Sequence, residues 1–180
     1  MRLMIREVLA ISSLVALFAP VCALAQSCAV DISSPPQRVF AKPDASVPWT
    51  EFASLKSVPN LATDAGSSAQ IWRSKEGNVM VRFFDPGEDF WSYTDLCYGS
   101  TGRLAHLSYQ LRTAWGWGYT LDRDYGPNGP SRSHVSFVDD QGKPIPRPQS
   151  ADDVPDALKP AVKLRIAQLP FYQLLKEHTK

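Results

Sequence analysis

The sequence predicts a mainly β (α+β) domain built on an antiparallel sheet of six strands, arranged as a meander or a partly closed barrel. Between residues 69 and 148, runs rich in aromatic and β-branched side chains alternate with short glycine-containing segments. Such segments are typical of hairpin connections, because glycine accepts a positive φ without steric cost. The expected strands lie at residues 69–74, 79–84, 90–98, 104–112, 115–121 and 133–138.

The first element along the chain is an expected signal peptide over residues 1–25. Arg2 and Arg6 precede a 15-residue apolar stretch, and Ala23-Leu24-Ala25 forms a small-x-small cleavage site before Gln26. The apolar stretch is shorter than the roughly 20 residues that a spanning helix requires. We therefore expect an exported protein, periplasmic or extracellular, with no transmembrane segment in the mature chain.

The mature chain would have the size of one domain and no net charge. Removal of 25 of the 180 residues leaves 155, which is enough to bury a core. The leader carries two of the 19 basic residues and one of the 18 acidic residues, so 17 of each remain. Nucleic-acid binding depends on clustered Lys and Arg, and this balance therefore argues against a nucleic-acid partner.

The cysteines predict one disulfide bond. Cys22 leaves with the leader, so the mature chain retains Cys28 and Cys97. An even pair in an oxidising compartment favours a bridge, which contributes roughly 4 kcal/mol in the chain-entropy model. Two alternatives stay open, namely lipid modification of Cys28 and a pair of buried free thiols.

Residues 26–68 should form an extended, proline-rich arm of the same domain, because proline removes a backbone donor and disfavours helix at the preceding residue. Residues 69–180 should hold the meander and the C-terminal helices. After Pro148, apolar residues recur at spacings of three and four. This spacing predicts two short helices, near residues 159–168 and 170–177, that cover the sheet.

The most unusual local pattern is an aromatic row in which Trp115, Trp117 and Tyr119 alternate with glycine. One interpretation places the rings in the core beneath the C-terminal helices. The other turns the three rings outward, as a stacking platform that binds a sugar or another flat apolar ligand. The sequence alone does not choose between them.

Acidic residues predict a second candidate site at one end of the sheet. In a meander, alternate connections meet at the same end, which would gather Glu88, Asp89, Asp139 and Asp140 near Arg112. Such carboxylates suit a divalent cation or the paired acids of a glycosidase. They are also ordinary turn residues, so solvated loops are the competing interpretation.

The remaining patterns lack a specific chemical signature. His106 and His134 lie on predicted strands, but the chain has neither a His-Glu-x-x-His motif nor a Gly-x-Ser-x-Gly elbow. The segment from Asp122 to Gly129 loosely resembles a calcium loop, yet Val135 stands where the bidentate Glu belongs. We therefore expect no metal site and no cofactor.

The expected function is that of an exported, non-catalytic binding or accessory protein of a bacterial cell envelope. Its partner would be an envelope protein, a glycan or a small apolar ligand. The compact leader and the absence of any Asn-x-Ser/Thr acceptor indicate a bacterial source. The alternatives are a small envelope-directed hydrolase that uses the loop carboxylates, and a β-barrel carrier of an apolar or sugar ligand.

The leader can be tested by intact-mass measurement after expression of the whole chain in a bacterial host. We expect a mature protein that begins at Gln26, because the small residues at positions 23 and 25 fit a signal peptidase. An Ala25→Arg variant should retain the leader. A native protein that keeps Met1 through Ala25 would refute the cleavage.

Overall fold

A computed structural model of the protein describes residues 30–59, 66–149, 151 and 159–177. Within these residues, nine strands form one open antiparallel sheet, which confirms the predicted fold class. In chain order they are β1 Arg38–Lys42, β2 Thr50–Phe52, β3 Ser67–Arg73, β4 Val79–Pro86, β5 Phe90–Tyr98, β6 Leu104–Thr113, β7 Trp117–Gly126, β8 Gly129–Asp139 and β9 Pro144–Ile145. The order across the sheet is β2-β1-β3-β4-β5-β6-β7-β8-β9. The part from β3 to β9 is therefore an uninterrupted meander.

The six predicted strands correspond to β3 through β8, with three shifted starts, of which β3 begins two residues early, at Ser67. Strand β7 begins at Trp117 because the preceding residues turn, with Gly116 at φ 80°. Strand β8 begins at Gly129, four residues before the predicted start. Its first half is polar and exposed, since β9 pairs only with Phe137 and Val138. An edge segment of this kind carries no apolar alternation from which it could be predicted.

The proline-rich arm supplies the strands at the other edge of the sheet. Strand β1 pairs with both β2 and β3, and Arg38 of β1 is hydrogen-bonded to the carboxylate of Glu51 in β2. Val39 and Ala41 form a small second core with Val58. The signal peptide, Gln26 and Cys28 lie outside the described residues, so their predictions stay untested.

One face of the sheet, here called the covered face, packs against residues 159–177, here called the C-terminal segment. Three buried residues of that segment, Leu169, Phe171 and Leu175, belong to the same apolar cluster as the sheet. The sheet contributes Phe40, Ala69, Val81, Leu96, Leu107 and Leu111, among others. The opposite face, here called the outer face, carries polar side chains over much of β6 to β8.

The C-terminal segment is less helical than its spacing predicts. It contains one 3-10 turn, Ile166–Gln168, and one α-helix, α1, Tyr172–Glu177. Residues 159–165 are not helical, and at the end of this stretch the backbone bonds to the start of β6 and the turn before it. Leu104 donates its N–H to the carbonyl of Leu164, and Ile166 donates to the carbonyl of Gly102. Tertiary hydrogen bonds have replaced those of the first expected helix.

Two contacts fix the end of the C-terminal segment. The ring of Phe171 stacks on Phe40, with centroids 4.5 Å apart and planes 5° from parallel. The guanidinium of Arg38 donates hydrogen bonds to the carbonyls of Leu174 and Leu175 in α1. The helix is therefore attached to β1 through both an apolar and a polar contact.

We expect Phe171→Ala to lower the free energy of unfolding by about 3–5 kcal/mol, because the ring is 1% exposed and its removal leaves a cavity. The matched control is Gln173→Ala, because Gln173 lies two residues away and is exposed. The control should change the free energy of unfolding by no more than about 0.5 kcal/mol. Urea unfolding curves measure both. Equal midpoints for the two variants would contradict the docking of the segment.

Candidate functional site

A cavity of about 370 Å³ lies between the covered face and the C-terminal segment. Strands β4, β5 and β6 form its floor, Trp49 closes one side, and residues from the C-terminal segment form its roof. The floor residues are Phe83, Asp85, Phe90, Ser92, Thr94 and Tyr109, and the roof residues are Lys159, Pro160, Ala161, Lys163 and Pro170. The cavity thus depends on the same docking as the core.

Strand register brings four polar side chains together on the floor. Asp85 of β4 lies opposite Ser92 of β5, and Thr94 of β5 lies opposite Tyr109 of β6. Ser92 and Thr94 are each only 5% exposed. The hydroxyl of Ser92 is hydrogen-bonded to Tyr109, and the carboxyl of Asp85 to Ser67. A polar patch is therefore built into an otherwise apolar layer.

Burial dominates the electrostatics of this floor. It raises the pKa of Asp85 above its ordinary value of 3.8, against the opposing effect of the Ser67 hydrogen bond. Burial also raises the pKa of Tyr109 strongly, with smaller contributions from Tyr119 and Asp85. Tyr109 therefore keeps its proton at neutral pH, while the carboxylate form of Asp85 is destabilised.

Aromatic rings form the apolar walls. Trp49 meets Phe83 edge to face, with ring centroids 5.9 Å apart, and also contacts Phe171. The ring of Phe90 lies directly over Gly87, where a Cβ atom would be 2.3 Å from the ring. The Gly87 N–H also donates to the carbonyl of Phe90 at 2.7 Å. Glycine at this turn is thus required for the position of the ring.

The predicted acidic cluster lies at one end of the sheet, but its members are not joined to Arg112. Glu88 and Asp89 occupy the β4–β5 turn, where the carbonyl of Asp89 accepts the N–H of Ala114. The Asp139 carboxylate accepts the N–H groups of Gln141 and Lys143, which closes the β8–β9 turn. Asp140 is exposed beside it.

No ion pair links Arg112 to the four predicted carboxylates, all of which lie in the described part of the chain. The Nη1 atom of Arg112 is buried without a hydrogen-bond partner. Across residues 30–59, 66–149, 151 and 159–177, no group of three or more His, Cys, Asp or Glu side chains could hold a metal ion. A hydrolase built on these carboxylates stays a prediction.

The aromatic row is divided between the core and the surface. Trp115 lies in the β6–β7 turn and is 52% exposed, whereas Trp117 is 4% exposed. Tyr119 packs against Tyr109, a floor residue of the cavity, with ring centroids 5.4 Å apart. Trp117 and Tyr119 therefore lie on the covered face, and an outward stacking contact would depend on Trp115.

The two strand histidines lie on the outer face, away from the cavity. His106 Nδ1 is 2.8 Å from Asp124 Oδ1, and His106 Nε2 is 3.8 Å from Asp122 Oδ1. His134 is exposed on β8, opposite Asp122. Strand β7 thus separates the two histidines, and its Asp124 is hydrogen-bonded to His106 Nδ1.

Sequence reasoning missed the floor of the cavity, although a signal was present. Val79, Val81 and Phe83 alternate along β4, and the next position on the same face is Asp85. An acid at the end of an inward-facing series is the signal that could have identified it. The expected strand ends at residue 84, so Asp85 falls just outside it.

Comparisons with known proteins assign no function to this arrangement. The chain matches no protein-family model, no curated protein and no solved structure. Within the described ranges, none of the helices has the length and apolar character to cross a membrane.

The raised pKa of Asp85 predicts that the free energy of unfolding depends on pH. The folded state binds this proton more tightly than the unfolded state, so stability falls as the pH rises from 3.8 through the folded pKa. Asp85→Asn removes this dependence. The free energy of unfolding of the variant minus that of the native protein should therefore increase over this pH interval and then stay constant. Urea unfolding at a series of pH values measures this difference. A pH-independent difference would contradict the burial of this carboxyl.

Proposed function

We propose that the protein is an exported binding protein of a bacterial cell envelope, which holds a small and largely apolar ligand beneath the C-terminal segment. The observation that carries the proposal is the cavity of about 370 Å³. Small-molecule sites usually measure about 300–1,000 Å³ and combine apolar walls with a few placed polar groups. The walls and floor described above have this composition.

Two hydroxyl groups of the floor, those of Ser92 and Tyr109, are suited to binding. Ser92 is hydrogen-bonded to Tyr109, whose raised pKa keeps the phenol protonated. A protonated phenol is a poor general base at neutral pH, so it does not activate the hydroxyl of Ser92. The hydroxyl groups of Ser92 and Tyr109 can instead form hydrogen bonds with a bound molecule. These groups would orient a ligand, and the aromatic walls would supply most of its buried contact.

Export is supported by the leader and by the state of the central strand. Cys97 of β5 is 2% exposed and is not a free thiol. Cys28 is the only other cysteine that the mature chain would retain. We propose that the two form a disulfide, which would attach the start of the mature chain to β5. Such a bond persists in the oxidising compartments outside the cytoplasm.

The binding proposal can be tested with Nile red, a neutral dye whose fluorescence rises in an apolar site. We expect saturable binding, and we expect Ala161→Phe to weaken it about tenfold or more, because the added ring occupies space at the roof of the cavity. Ala167→Phe is the matched control, since Ala167 is also an exposed alanine of the C-terminal segment but does not line the cavity.

The control should bind the dye as the native protein does. Loss of affinity in both variants would indicate a general effect of the added ring rather than a blocked cavity. Absence of saturable binding to the native protein would contradict the proposed function.

A further inference from the structure

We infer that the cavity selects ligands that carry an ammonium group, which contacts Asp85 while the apolar body of the ligand lies against Trp49, Phe83 and Phe90. This inference rests on the proposed function and deepens it by naming the chemical class of the ligand. It is carried by the position of one carboxyl group within an aromatic enclosure.

Asp85 is placed to receive a cation. It is the one acidic residue among the described residues that line the cavity. Its known hydrogen bond is with the hydroxyl of Ser67. A carboxylate has about four lone-pair sites, so this bond leaves acceptor capacity for a ligand. A hydrogen-bond donor of the ligand would complement the carboxylate of Asp85, and a charged donor forms a stronger hydrogen bond than a neutral one.

Burial makes the charge of that donor important. The interaction between two opposite charges is several times stronger in the protein interior than in water, because the effective dielectric constant is lower. An ionised Asp85 without a counter-charge is costly in this position. A bound ammonium group would supply the counter-charge, whereas a neutral hydroxyl would not. The cavity should therefore prefer a ligand that compensates the charge of the Asp85 carboxylate.

The walls favour the same class of ligand. Trp49, Phe83 and Phe90 present aromatic rings to the cavity. Aromatic faces attract cations within about 6 Å of the ring centre, and the attraction increases when the cation is desolvated. The rings also accept an apolar body of moderate size. An amine with an aromatic or aliphatic body satisfies both the rings and the carboxyl.

Lys159 and Lys163 of the roof repel a bound cation, but this repulsion is weaker than the attraction by Asp85. Lys159 is exposed and has another contact, and Lys163 is half-buried. The backbone carbonyl of Lys163 accepts the hydroxyl of Tyr98, which holds this residue over β5. Charges that reach solvent are screened by water and salt, whereas the carboxyl of Asp85 is partly buried, as its raised pKa indicates. The charge of Asp85 should therefore dominate selectivity.

The test uses three probes that share a phenyl body and differ in the head group: phenethylamine, phenethyl alcohol and phenylacetate. Displacement of Nile red gives the affinity of each probe for the native protein at neutral pH. We expect the amine to bind about tenfold or more tightly than the alcohol, as a charged hydrogen bond allows. Asp85→Asn should reduce this ratio to about one. Glu88→Gln, which removes an exposed carboxylate of the adjacent turn, should keep it.

The outcomes separate this inference from the proposed function. Equal affinities for the three probes, or tighter binding of phenylacetate, would overturn the ammonium inference while the binding of Nile red still supports the cavity. A ratio that persists in Asp85→Asn would also overturn it, because another group would then select the amine. Failure of the native protein to bind the dye would instead refute the proposed function.

Discussion

The stacking of Phe171 on Phe40 is the contact on which the rest of the structure depends. An open sheet of this width has one apolar face, which must be covered to be stable in water. The C-terminal segment provides that cover with few hydrogen bonds of its own. Because the two rings lie nearly parallel at 4.5 Å, the segment has a fixed position over β1. The roof of the cavity is a consequence of that position.

A roof made of extended chain explains why a cavity exists at all. A helix packed along its whole length would bring side chains against the sheet at every turn. Residues 159–165 are instead extended, and the end of this stretch bonds through its backbone to the β5–β6 turn and the start of β6. Small or stiff residues such as Pro160 and Ala161 line the cavity. The space left between them is lined by the polar group around Asp85. The local departure from helix and the candidate site therefore have one cause.

The alternation of side chains was enough to predict the meander from β3 to β8, because each central strand buries one row of residues. Two features depended on contacts between distant residues and were not predictable in this way. The spacing near residue 166 is helical, but Gly102 and Leu104 compete for its backbone. Asp85 is adjacent to Pro86 and Gly87, so its turn-like context obscured its position on the inward row of β4. In both cases tertiary pairing prevailed over local preference.

On the outer face, charged side chains pair across neighbouring strands. Arg82 and Asp95 pair across β4 and β5 at 2.7 Å, and His106 pairs with Asp124 across β6 and β7. These cross-strand pairs satisfy one another and remain partly exposed, so they need no further partner. On the covered face the single carboxyl of the cavity has no such cross-strand cation, since Asp85 lies opposite Ser92. Two outer-face carboxylates thus have partners on the neighbouring strand, whereas the partly buried carboxyl of Asp85 faces a serine, and this contrast supports Asp85 as the recognition group of the proposed site.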